Sequence, residues 1–203
     1  MHLFRQLLAV VLLGGAVVAA ETLDFTPHWV NSFEDGFTLR RMYFLRSARQ
    51  RIFFAPPRGW LSTGRPELYT ATSKEIPDGR LLLSLSPVEN PPPFDEASLP
   101  VYRKAVLALA PASAEKVTIA REQPKAERMQ GWQAHEFVLA FDYAGRSWMK
   151  GALFVTLKNG QQILMLIEAP AESFDKFYAP ARKSIRTWTE ELPNAPAKPD
   201  DDK

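Results

Sequence analysis

The clearest pattern along the chain is a strict alternation of apolar and polar positions in its second half. In HEFVLAFDY, Phe137, Leu139, Phe141 and Tyr143 alternate with Glu136, Val138, Ala140 and Asp142, the period of a strand. Ala144-Gly145-Arg146 then reads as a turn, SWMKGALFVTL as a returning strand, and Asn159-Gly160 as a second turn into QQILMLIEA. Asn-Gly between two alternating runs predicts a hairpin whose two turn residues take the positive φ of a type I′ turn. Three antiparallel strands in a meander follow. In ILMLIEA both alternating sets are apolar, which predicts a central strand covered on both faces.

Weaker signals fill in the rest. LRRMYFL and QRIFFAP are two short strand-like runs joined by Ser-Ala-Arg, which predicts a hairpin, and Pro56, Pro57 and Gly59 end it and present Trp60. Residues 62–80 are polar and turn-rich, and LLLSLSPV after Pro-Asp-Gly is a further strand. Past the stiff link at 90–93, Leu99, Tyr102, Val106 and Leu109 share one helical face, with Ser98 as N-cap and Pro111 as stop. Phe174, Tyr178, Ala181, Ile185 and Trp188 form a second helical stripe. Pro180 inside it would cost about 3 kcal/mol in mid-helix, so the expectation is a separate turn over 173–178 and a helix starting at Pro180. Residues 21–36 lack a period and read as an extension docked by Phe25, Trp29 and Phe33; the tail after Trp188 reads as disordered. Helices covering an antiparallel sheet predict an α+β layered domain.

Composition narrows the class. With 46% hydrophobic residues and no Cys among 203, the chain has enough apolar material for one core and no disulfide, thiol nucleophile or thiolate metal site. Residues 1–20 (MHLFRQLLAVVLLGGAVVAA) carry Arg5, an apolar run and small residues at Ala19 and Ala20, the parts of a secretory signal peptide cleaved before Glu21. The expected product is exported, periplasmic or extracellular, with no transmembrane segment after cleavage.

Charge is segregated along the chain. Between residues 40 and 66 stand Arg40, Arg41, Arg46, Arg49, Arg51, Arg58 and Arg65 with no Asp or Glu, whereas the C-terminal end carries Glu190, Glu191, Asp200, Asp201 and Asp202. Arginine favours bidentate anion contacts, so the basic stretch is a candidate surface for an anionic partner; the plainer alternative is that the arginines solvate one face or pair with acids elsewhere. Candidate chemistry is sparse. His135 and Glu136 are neighbours on a strand and point to opposite faces, and the chain has no HExxH, GxSxG or glycine-rich phosphate loop. No catalytic residue, metal ligand or cofactor is assigned. The candidate partner-binding residues are Arg40, Arg41, Arg46, Arg49, Arg51, Arg58, Trp60 and Trp148, the last as an aromatic turned away from the Met149, Gly151 and Leu153 set.

The order of pieces resembles the PsbP-like family. The likeness is carried by IFFAPPRGW (Ile52 to Trp60), a helix after a Pro-rich link, the meander from Gly131-Trp132, and ILMLIEAPAESFDKFYAPARKSIRTW. It implies an α/β/α sandwich around an antiparallel sheet, spanning residues 51–190 after an Arg-rich extension at 21–50 and before an acidic tail at 191–203. It also implies a family that mostly binds or chaperones other proteins. The expected function is therefore that of an exported, non-enzymatic accessory protein of the cell envelope, holding a protein or an anionic envelope component and not nucleic acid. The alternatives are a carrier of a small lipid-like ligand and, after it, a hydrolase.

Overall fold

The computed structural model describes residues 22–34, 37–46, 50–124 and 132–191. The leader, Arg49 and the tail beyond Glu191 lie outside the described residues. The chain forms β1 (Asp24–Glu34), β2 (Phe37–Leu45), β3 (Arg51–Phe53), β4 (Leu61–Arg65), β5 (Leu68–Thr72), β6 (Arg80–Leu85), α1 (Leu99–Leu107), β7 (Glu115–Gln123), β8 (Gln133–Tyr143), β9 (Arg146–Thr156), β10 (Gln162–Pro170), α2 (Phe174–Ser184) and β11 (Thr189–Glu191). They make two open antiparallel sheets, a smaller one in the order β1-β2-β3-β11 and a larger one in the order β4-β5-β6-β10-β9-β8-β7.

The meander is present as β8, β9 and β10, and β10 is central, flanked by β6 and β9. Its Ile163, Met165 and Ile167 face one core and Leu164 the other, which is why both of its alternating sets had to be apolar. The two turns exchange their expected roles. Ala144 and Gly145 both take positive φ, 51° and 74°, between the paired Tyr143 and Arg146, the signature of type I′. At the other turn Gly160 alone is positive, at 81°, and Leu157 pairs with Gln161 through N–H to O=C, giving a longer loop with glycine at its end.

The α/β/α sandwich does not form. The described residues are 51% strand and 17% helix, and only two short helices meet the large sheet. α1 lays Tyr102 and Val106 against Phe137, Leu139, Phe141 and Phe154 on one face. On the other face α2 shares the cover with the small sheet, whose Phe44, Ile52 and Phe54 pack with Tyr69, Trp132 and Trp188 in one core. The reason lies in segments whose strands were hidden. Residues 24–34 form a strand and not an extension: Phe25 is buried, but Trp29 and Phe33 are 45% and 76% exposed. The polar stretch after Trp60 holds the β4-β5 hairpin, and EKVTIAREQ is the edge strand β7.

α2 is continuous from Phe174, with Pro180 inside it. The lost backbone hydrogen bond, about 3 kcal/mol, is offset by the buried stripe of Phe174, Phe177, Tyr178 and Ala181. Two glycines let the helix approach: a Cβ on Gly151 would stand 2.6 Å from the Tyr178 ring, and one on Gly79 2.5 Å from the Phe177 ring. After a 3₁₀ turn at Ile185–Thr187, residues 189–191 pair with β3, so the acidic end begins as a strand.

Candidate functional site

The site is built where the two sheets meet. β2 runs antiparallel to β1 with Trp29 opposite Met42 and Asn31 opposite Arg40, so Trp29, Arg40 and Met42 share a face of the hairpin. The Arg40 guanidinium lies 4.5 Å from the Trp29 ring centroid, a cation–π contact at the surface. Opposite this face runs the segment from Ala55 to Trp60. The Ala55 N–H donates to Thr187 Oγ1 at 2.7 Å, and Trp60 N–H donates to Pro57 O at 3.2 Å, closing a turn. Gly59 sits at φ 81° in that turn, a conformation glycine adopts without strain, and the turn holds Arg58 at its exposed corner. Trp60 is fixed from behind by stacking on Phe177, with ring centroids 4.4 Å apart.

Between hairpin and turn lies an open cleft of about 470 Å³. Arg40, Arg41 and Arg58 line it together with Trp29, Trp60 and the Pro56-Pro57 step. Arg41 rests 3.9 Å over the Phe53 ring and pairs with Glu191 at 3.3 Å. Among the described residues, Arg40 and Arg58 have no carboxylate partner. Guanidinium, indole and proline surfaces thus converge on one hollow, a combination suited to an anionic group with flat or apolar neighbours.

The other residues singled out in the sequence lie elsewhere. Arg46 is 5% exposed and turned into the fold, pairing with Glu190 at 3.2 Å, so here the plainer reading of the arginines holds. Arg51 lies 5.1 Å from the Tyr43 ring on the small sheet's outer face. Arg65 is far out on β4, 3.6 Å from Glu67. Arg49 is outside the described residues. Trp148 is half-buried and does not join the arginines. It lines a different depression with Phe141, Tyr143 and the Lys150–Glu168 pair, whose Nζ and Oε2 are 3.1 Å apart. Trp29 and Met42, which the sequence reading did not place here, become visible only through the β1-β2 register. In the sequence its only trace is Trp29 in the stretch read as an extension and the adjacent pair Arg40-Arg41 in the run after it.

His135 and Glu136 do face opposite ways. His135 stacks on Phe137 at 4.7 Å with Nε2 3.4 Å from Glu122 Oε1, and burial holds its pKa below the ordinary value of 6.5 despite the opposing pull of Glu122. Glu136, 1% exposed, accepts a hydrogen bond from Arg182 Nε at 2.8 Å on the α2 side and lies 3.6 Å from Arg121. No group of three metal-binding side chains occurs among the described residues, and no helix among them is long and apolar enough to cross a membrane.

No family model matches the chain, and no curated protein sequence does. Among solved structures, PA94, a protein of unknown function from Pseudomonas aeruginosa, is similar at 12% identity and a TM-score of 0.42, over 83% of this chain and 99% of that one. LpqN of Mycobacterium tuberculosis, described as involved in cell envelope biogenesis, is similar at 10% identity and a TM-score of 0.43, over 83% of this chain and 92% of that one. The PsbP-like resemblance is neither confirmed by these likenesses nor in conflict with them.

Proposed function

We propose that this chain is an exported, non-enzymatic accessory protein of the cell envelope that holds an anionic partner in the cleft between the β1-β2 hairpin and the Ala55–Trp60 turn. The observation that carries the reading is the pairing, in one hollow of about 470 Å³, of two arginines that have no carboxylate partner among the described residues, Arg40 and Arg58, with two tryptophans. Such an arrangement attracts negative charge and gives it a flat surface to lie on. The signal-peptide pattern of residues 1–20 supports export. Both histidines beyond it serve packing: His28 stacks on Tyr43 at 5.4 Å and His135 on Phe137. A carrier with its ligand between sheet and helix is less well supported, because Tyr178 and Phe177 fill that interface down to the glycines beneath them.

Titration calorimetry with three anionic probes (an acidic peptide, phosphatidylglycerol vesicles and an oligogalacturonate) tests the reading. At least one should bind, with affinity falling as salt screens the contacts and falling again in Arg40→Ser/Arg58→Ser. Binding that ignores both salt and the double substitution removes the cleft from consideration.

A further inference from the structure

The cleft does not end at Trp60. On the far side of the Pro57–Trp60 turn lies a second depression of about 360 Å³, which shares those four residues with the first and continues over Lys74, Ile76, Lys176 and Phe177. The turn is therefore a low ridge between two hollows, with Arg58 and Trp60 common to both. Among the described residues, the lining of the two carries five cations (Arg40, Arg41, Arg58, Lys74 and Lys176) and one carboxylate, Glu75. Glu75 lies 3.1 Å from Lys176, both mostly exposed, so an incoming anion can replace it at little cost. Lys74 has no ion-pair partner among the described residues.

Resting on the reading above, we infer that the ligand is an extended acidic peptide segment of a partner protein, which crosses the Pro57–Trp60 ridge and occupies both hollows. A compact anion such as a phosphate would engage one hollow and leave the cations of the other unused. Bilayer headgroups form a flat array, whereas this surface is concave on both sides of a ridge. A peptide supplies carboxylates at intervals, and between them apolar side chains for Trp29, Trp60 and Ile76. Trp60 suits a ridge that a chain must cross, because its stack on Phe177 holds it in place before binding.

Fluorescence anisotropy with the full chain tests this using two labelled Asp/Glu-rich peptides, one of about eight residues, reaching roughly 26 Å when extended, and one of about two. The longer peptide should bind at least about tenfold more tightly, and Lys74→Ser/Lys176→Ser should weaken it by about fivefold while leaving the shorter one unchanged. All four substituted side chains, Lys74, Lys176, Arg40 and Arg58, are exposed, and folding is checked by circular dichroism. Equal affinity for both lengths, with the lysine variant silent and the arginine variant defective, overturns the spanning ligand and leaves the first cleft standing. A silent arginine variant overturns the cleft itself. Tighter binding of phosphatidylglycerol vesicles or oligogalacturonate than of the long peptide overturns the peptide.

Discussion

Replacing Arg182 by Met gives the sharpest test of how α2 is held to the large sheet. Glu136 projects from β8 toward α2 with 1% of its surface exposed, and its principal partner is Arg182 Nε at 2.8 Å. Arg121, at 3.6 Å and half exposed, is a weaker second. Methionine keeps much of the arginine stem and its packing but removes the guanidinium, so a buried carboxylate is left with the more distant cation alone. Breaking a buried pair in this way costs about 3–5 kcal/mol, and the residual help from Arg121 puts the expectation near the lower end. For a domain of this size that is a fall in Tm of roughly 6–12 °C. Glu136→Leu in the same background removes the orphaned charge, and the double variant should recover most of the loss, a coupling of about 2 kcal/mol or more in a double-mutant cycle. Urea unfolding can be followed through the buried Trp132 and Trp188. Additive effects, or an Arg182→Met loss below about 1 kcal/mol, would show that the carboxylate is not held as described.

Further expectations concern other parts of the fold. Gly151→Ala should destabilise by about 1–3 kcal/mol, read as a lower urea midpoint, because the new methyl group would meet the Tyr178 ring at 2.6 Å. Ala144→Asn should stabilise by about 1 kcal/mol, read as a higher urea midpoint, since Ala144 sits at φ 51° in the type I′ turn. Tyr102→Phe should cost about 1–3 kcal/mol, as its hydroxyl donates to Pro92 O at 2.6 Å and accepts from buried Gln162 Nε2 at 3.0 Å. His135 should make stability pH-dependent. Its folded pKa is lowered by burial from 6.5, so the unfolded chain takes up the proton first. Its contribution is complete above 6.5 and is lost as pH falls from there through the folded value. Urea midpoints compared across that window should converge when His135 is replaced by Phe.

Legibility in the sequence followed how far each element obeys a simple period. β8, β9 and β10 were readable because each carries a long buried apolar run, and the α2 stripe was readable although Pro180 disguised its continuity. β1 escaped because its pairing with β2 is irregular between Asp24 and His28, which breaks the alternation just where Phe25 turns inward. β4 and β7 escaped as edge strands, with mostly exposed side chains such as Thr63, Arg65, Lys116 and Thr118. The α/β/α expectation failed with them, since uncounted strands left helices as the only available cover. At the site, Arg58 and Trp60 are close in sequence and line the same cleft. The contact of Arg40 with Trp29 depends on hairpin register, which no local pattern announces. Arg46 shows the converse: a charge within a basic run, yet bound inside the fold by Glu190.

The smaller sheet opens with the first described strand and closes with the last, because Thr189–Glu191 lie against Arg51–Phe53. Pairs such as Arg41 with Glu191 join positions 150 residues apart. A chain emerging from its N-terminus can therefore build the large meander early, but it cannot finish the arginine-bearing sheet until residue 191 is free. A product lacking residues 189–191 would leave Arg46 without Glu190 and Phe53 without its paired neighbour Thr189, so the smaller sheet is held closed from its last strand.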